Sequence, residues 1–362
     1  MALVHGGDIE GFFEERGFAP LDYSSNVSPL GLPAPVREAI GASLEKADQY
    51  PDPLCRRLRS ALSEHDNLPM SMILCGNGSA DLIYRLALAS RKKLGRPPCV
   101  LIPAPTFSEY AEAFELVDSE IVRSTLKPEN NYRLDDDFLE EIRPGVDCVF
   151  VCQPNNPTGL TTPRDVVLKA LAACEQMGAH LVVDECFVGF LDEPGAVSVV
   201  ELVQNHPALI VLKAFTKLYG MAGVRLGYVL SSDKALLERM EKAGQPWAVS
   251  SIAQAAGITA LGCTDYVSQL RALVQAERPL LQAELAQRGI KAQGEANYLY
   301  FELDDAGALT GKMRDQGVLV RDCSNYPGLH PGCYRIAVRG HEDNLRLLAA
   351  LDLCLGSNET PR

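Results

Sequence analysis

The stretch Leu209-Ile210-Val211-Leu212-Lys213-Ala214-Phe215-Thr216-Lys217-Leu218-Tyr219-Gly220, followed by Arg225 and a second apolar run from Leu226 to Leu230, decides how this chain reads. Leu209 to Leu212 has the length and composition of a strand buried on both faces. Lys217 stands just past its carboxyl end, where sheets of parallel strands hold their ligands. A lysine there, close to a packed core, is partly desolvated. Desolvation lowers its pKa and makes its amine a nucleophile toward carbonyls. Taken alone, Lys217 is more simply a surface lysine in a loop.

The same kind of run recurs at Val100 to Ile102, Cys148 to Cys152 and Leu181 to Val183. Helical patterns lie between several of them, such as Ala80 to Leu94 and Arg164 to Gly178. Strands alternating with helices read as an α/β protein with a mostly parallel sheet covered on both faces. From about Ala253 the pattern changes. One long helical stretch, Ala253 to Gln287, leads to a strand at Tyr298 to Leu303, a helix at Ala308 to Gln316, a strand at Tyr334 to Val338 and a last helix at Glu342 to Leu355. This reads as a smaller α+β domain over 251–362. A larger domain then occupies 48–250, and an N-terminal segment over 1–47 packs with the small one.

Three more strand ends carry polar residues. Asp184 follows Leu181-Val182-Val183, where a lone carboxylate is expensive to bury. A protonated pyridine nitrogen would pair with it; a bound metal ion or a helix N-cap would equally account for a carboxylate there. Gly76-Asn77-Gly78-Ser79-Ala80 opens a helical pattern, and a helix N-terminus offers free N–H groups to a phosphate. Asp81 occupies the place of the third glycine of a dinucleotide fingerprint, which speaks against that ligand. Arg225 adds a guanidinium fork suited to phosphate.

The bulk numbers narrow the classes. At 362 residues the chain is too long for one compact core. A net charge of −13 argues against nucleic acid and against anionic membranes. No apolar run reaches the ~18 residues of a membrane span. Met1 to Glu10 lacks a basic region followed by an apolar core, so no signal peptide is expected and the protein is expected in the cytoplasm. Eleven cysteines without a CxxC pair read as reduced thiols packed as small hydrophobes. No HxxxH or HExxH spacing occurs, so no metal is expected.

Together, Pro154-Asn155-Asn156-Pro157-Thr158-Gly159, Asp184-Glu185, and Thr216-Lys217 with Arg225 eight residues on resemble the fold-type I enzymes of pyridoxal 5′-phosphate (PLP), the aspartate aminotransferase superfamily. The resemblance spans essentially the whole chain. It implies a large PLP-binding domain with a mostly parallel, seven-stranded-type sheet and a smaller α+β C-terminal domain. It implies that Lys217 binds the cofactor covalently and then shuttles the proton, and that Asp184 pairs with the pyridine nitrogen. By the same resemblance Asn156 bonds the ring's 3-oxygen and Phe107 stacks on the ring, although Phe107 could instead be a core residue. The cofactor phosphate would meet Gly78, Ser79, Ala80, the Thr216 hydroxyl and Arg225. Tyr50 would reach into a neighbouring protomer's site, which implies a homodimer with shared active sites. Two positions depart from the pattern: Phe187 replaces a common tyrosine, and Ala214 replaces a common hydroxyl residue.

Further segments resemble the L-threonine-O-3-phosphate decarboxylases of cobalamin biosynthesis. These are His5-Gly6-Gly7-Asp8-Ile9, Asn26 within Ser24 to Gly31, Arg321 to Leu329, and Tyr334-Arg335-Ile336-Ala337-Val338-Arg339. Phe187 fits that branch too. The resemblance implies an amino-acid phosphate substrate, with Arg335 on the α-carboxylate and Arg321 on the phosphate, helped by His5, Gly6 and Asn26. His5-Gly6 also suits a loose terminus. Arg339, four residues after Arg335, is either a supporting partner or a solvated charge. The alternative activity is transamination, most naturally of histidinol phosphate. An inactive scaffold that kept the fold is the third reading, opposed by the intact Lys217, Asp184, Asn156 and Arg225.

Overall fold

The computed structural model describes residues 6–356. Seven strands form the central sheet: β2 (Ile73–Gly76), β3 (Cys99–Ala104), β4 (Glu120–Thr125), β5 (Cys148–Cys152), β6 (His180–Asp184), β7 (Leu209–Ala214) and β8 (Gly227–Leu230). Their spatial order is β2-β8-β7-β6-β5-β3-β4. All neighbours run parallel except β8, which is antiparallel to both β2 and β7. Each apolar run of the large domain read from the sequence falls in one of these strands, with Leu226 standing just before β8.

The central strands are apolar at every position because both faces are covered. Val149 and Val151 face one core cluster, while Cys148, Phe150 and Cys152 face the other. The carboxyl ends of β5, β6 and β7 therefore leave the core side by side, and the residues just after them share one edge. β8 brings Gly227 beside Ala214 at that same edge.

A second, four-stranded sheet joins β9 (Ala292–Gln293), β10 (Tyr298–Glu302), β12 (Arg321–Asp322) and β13 (Cys333–Ala337) in the order β12-β13-β10-β9. Near the N-terminus, β1 (Leu21–Asp22) pairs in parallel with β11 (Val318–Leu319). The helix Ala34–Ser43 packs on the helix Ser251–Leu261.

The sequence reading of one helix from Ala253 to Gln287 is corrected by the structure. The helix Ser251–Leu261 follows the Ser250 cap, whose side chain accepts from Ala253 N, and it ends at Gly262. Cys263, at φ −84° and ψ 55°, leaves the helical region, and Thr264–Gln287 starts anew. Gly262 weakens the helix where the chain must turn. Among the described residues no helix is long and apolar enough to cross a membrane. All eleven cysteines are free.

Candidate active site

One pocket gathers residues from the strand ends, the N-terminal segment and the second sheet. Gly6, Asn26, Ser79, Ala80, Phe107, Asn156, Asp184, Thr216, Lys217, Arg225, Arg321 and Arg335 all line it. These are most of the residues singled out in the sequence. Gly78 lies just behind it, opening the helix Gly78–Leu94. Tyr50 does not line this pocket. It is 81% exposed and stacks on Trp247, ring centroids 4.5 Å apart. His5 lies outside the described residues.

Asp184 ends β6 and is buried, 5% exposed. Its Oδ2 accepts from the Tyr110 phenol at 2.7 Å and its Oδ1 from Cys186 N at 3.0 Å. Burial still pushes its carboxyl up from the usual range. Neither partner is a cation, so the carboxylate suits a positively charged ring nitrogen. Lys217 follows β7 in a single helical turn, Phe215–Leu218. Burial, and next the Arg335 guanidinium, pull its amine down to about 8. That keeps a sizeable neutral fraction near neutrality, as a carbonyl nucleophile requires.

The phosphate end of the site is shaped by glycines. A Cβ on Gly78, whose φ is +86°, would come 2.7 Å from Arg225 Nη2. A Cβ on Gly227 would sit 2.6 Å from Ser79 N. The first turn of the helix, the Arg225 fork and Thr216 thus converge on a cradle that side chains would fill. Arg225 itself has a φ of 61°, a conformation that costs about 1–3 kcal/mol in a non-glycine residue. Cofactor and residues fit: a carboxylate for the ring nitrogen, an amine for the aldehyde, and backbone N–H groups for the phosphate.

The opposite wall is cationic. Arg321 on β12 and Arg335 on β13 are direct cross-strand partners, 7% and 6% exposed. Facing residues point to the same side of a sheet, and like charges so placed repel. Arg335 donates Nη1 to Asn156 Oδ1 and Nη2 to the Ser24 carbonyl at 2.7 Å. Arg321 donates to Asn325 Oδ1 at 2.8 Å and lies over the Tyr326 ring. Asn26 is 2% exposed, yet neither its Oδ1 nor its Nδ2 has a hydrogen-bond partner among the described residues. A buried amide left so costs about 1–3 kcal/mol, and a ligand's polar atoms would satisfy it.

Sequence reading missed several members. Asp22 holds Ser24, accepting from its N at 2.8 Å and its Oγ at 2.6 Å. Ser24 Oγ in turn accepts from Gly7 N at 2.7 Å. Tyr110 and Glu109 follow Phe107 in the helix Glu109–Glu115, where they look like ordinary core and surface positions. Glu109 lines the pocket, and burial raises its carboxyl. Phe187, which the sequence reading did single out, lines it as well, edge-on to Tyr298 with centroids 5.0 Å apart. Arg339 does not line the pocket. It donates to Asp343 Oδ2 at 2.9 Å and to the Asp22 carbonyl at 3.2 Å, so it supports the Asp22 segment from behind.

The family model for aminotransferases of class I and II matches residues 21–351. The chain is 35% identical to the threonine-phosphate decarboxylase of Salmonella typhimurium over 355 residues, which is 96% of this chain and 95% of that protein. It is 33% identical to the histidinol-phosphate aminotransferase of Symbiobacterium thermophilum over 360 residues, 98% of this chain and 96% of that one. Among solved structures, the histidinol-phosphate aminotransferase from Clostridium acetobutylicum superposes with a TM-score of 0.85 at 26% identity. That match covers 93% of this chain and 99% of the other.

Proposed function

The chain belongs to the class I and II aminotransferase family, whose cofactor is pyridoxal 5′-phosphate, and from that premise we propose that it decarboxylates O-phospho-L-threonine to CO2 and (R)-1-amino-2-propanol O-2-phosphate in cobalamin biosynthesis. The observation that carries this reading is the Arg321–Arg335 pair. Two buried, facing cations call for two anionic groups on one ligand, and this substrate has an α-carboxylate and a phosphate. Histidinol phosphate itself has no carboxylate, so in that reaction the second arginine would be matched only in the other half-reaction, by the carboxylates of 2-oxoglutarate. The relatives support the reading as a group without separating the two activities.

When bound, the cofactor supplies an electron sink for the bond broken at Cα. The chain's residues do the rest. Lys217 binds the cofactor and afterwards delivers a proton to Cα. Asp184 keeps the pyridine nitrogen charged. Asn156 Oδ1 is taken by Arg335, so its Nδ2 is left to donate to the ring's 3-oxygen. Ser79, Ala80, the Gly78 backbone, Thr216 and Arg225 hold the cofactor phosphate, and Phe107 covers the ring. Arg335 would hold the α-carboxylate and so govern which bond at Cα is broken. Arg321, Asn26 and the Gly6 backbone take the substrate phosphate. The exposed Tyr50–Trp247 pair suits a homodimer in which Tyr50 completes the partner's site.

A substrate panel tests this. Cofactor-loaded protein should consume O-phospho-L-threonine with no keto acid present and leave histidinol phosphate untouched with 2-oxoglutarate added. The reverse pattern would make the protein an aminotransferase.

A further inference from the structure

Away from the pocket, one cluster of ligand-type side chains takes no part in the reaction. Glu302 ends β10 and Cys333 begins β13, and the two are paired across the antiparallel ladder. Such partners stand roughly 5 Å apart on one face. His330 comes three residues before Cys333, in a turn closed by Cys333 N donating to the His330 carbonyl at 3.2 Å. Gly332 makes the turn possible. Its φ is +102°, and a Cβ there would lie 2.2 Å from the Leu303 carbonyl oxygen. Two ligands spaced this way on a tight turn, with another from a neighbouring strand, is how many small zinc sites are built. The donor atoms of Glu302, His330 and Cys333 all lie within 4.8 Å of one another.

Two of the three are aimed by other contacts. His330 Nδ1 lies 2.9 Å from the Pro331 carbonyl. The tautomer that donates there leaves Nε2 with a free lone pair, 3.8 Å from Glu302 Oε2. Glu302 Oε1 accepts from the phenols of Tyr300 at 2.7 Å and Tyr132 at 2.9 Å, which turns Oε2 toward the histidine. Supporting bonds of this kind orient the ligands of metal sites.

We propose that Glu302, His330 and Cys333 bind a divalent cation of the zinc class, with a fourth position for water. Thiolate and imidazole together select zinc or cobalt over magnesium and calcium. Zinc bonds of roughly 2.0–2.3 Å require the donors to draw together. Glu302 and His330 are exposed, so their side chains can close the remaining distance while keeping the bonds that aim them, and buried Cys333 is the fixed point. Binding displaces the thiol proton. The ion ties down the end of the loop between Cys323 and Cys333, which carries Tyr326 and the Asn325 that holds Arg321. It therefore raises thermal stability without touching the reacting atoms.

The test uses cofactor-loaded protein dialysed against a chelator. It is titrated with Co2+, whose tetrahedral d–d bands fall at longer wavelength than the cofactor's absorption, and with Zn2+ by calorimetry. One ion per chain and strong d–d bands are expected. His330→Ala should weaken zinc binding by at least ~100-fold, the upper end of what losing a mere supporting bond costs. Cys333→Ser should lose the sulfur-dependent band intensity. A buried serine there can unfold the chain, so the exposed His330→Ala variant decides. Equal zinc affinity in wild type and His330→Ala, or no d–d bands at one equivalent, overturns the proposal.

Discussion

Replacing Arg321 by glutamine separates binding from stability in a way few buried-arginine changes do. Arg321 and Arg335 face each other in register and are both buried. At a facing separation of roughly 5–6 Å and an effective dielectric of ~20, their repulsion is about 3 kcal/mol. The Asn325 bond and the Tyr326 ring return about 2–4 kcal/mol. The two nearly cancel, so Arg321→Gln should change unfolding stability by no more than about 1 kcal/mol. Breaking an ordinary buried ion pair costs about 3–5 kcal/mol. Activity should behave differently. Loss of a charge-assisted contact to the substrate phosphate is worth about 2–5 kcal/mol. That is a fall of roughly 30- to 4,000-fold in kcat/KM for O-phospho-L-threonine, at 1.4 kcal/mol per tenfold. Whatever turnover plain L-threonine supports should stay within about threefold. The assay is kcat/KM on both substrates beside urea unfolding. Equal losses on the two substrates would remove Arg321 from the phosphate. A stability loss of about 3 kcal/mol or more would make it a structural residue instead.

Other perturbations follow from the same geometry. Asp22→Asn keeps the oxygen that accepts from Ser24 N and Oγ but replaces the one that accepts from Ser25 Oγ, so the Ser24–Ser25 segment, whose Ser24 carbonyl lies under Arg335, should shift; KM should rise about tenfold with kcat little changed. A proportionate fall in kcat alone would mean that Asp22 acts on chemistry rather than on substrate placement. Lys217→Met should abolish turnover and the borohydride-sensitive visible band. Its effect on cofactor-free stability has a definite sign. Folding lowers the Lys217 pKa from 10.5 to about 8, so the unfolded chain holds more protons between those values. Wild-type stability therefore gains on the variant as pH rises from about 8 toward 10.5, and urea unfolding at both ends should show the gap narrowing. A gap independent of pH would place Lys217 in solvent. Tyr50→Ala should lower activity without unfolding the chain, and mixing it with Lys217→Ala should restore activity in hybrid dimers. No recovery on mixing would mean that sites are not shared.

The large sheet was legible because its central strands are apolar at every position, a pattern that only double-sided burial explains. The pocket was legible for a related reason. Asp184, Asn156 and Lys217 each lie at or just past the end of such a strand, and parallel strands deliver their carboxyl ends to one edge. What escaped were residues whose role depends on contacts distant in sequence. Asp22 matters because it fixes Ser24 beneath Arg335, and Tyr110 because its helix points the phenol at Asp184. Neither has a local signature. The period-two rule that would set Arg339 beside Arg335 on one strand face does not reach it, because β13 ends at Ala337. The joined helix at Ala253 to Gln287 failed because a single glycine is a weak breaker on propensity alone.

Decarboxylation is tested most directly by the fate of Cα when cofactor-loaded protein acts on O-phospho-L-threonine in D2O without keto acid. CO2 and amine should appear in equal amounts. The amine should keep its original Cα hydrogen and gain a single solvent deuteron at that carbon. No CO2, with the Cα hydrogen exchanged or lost to a keto product, would refute decarboxylation and assign the pocket to transamination.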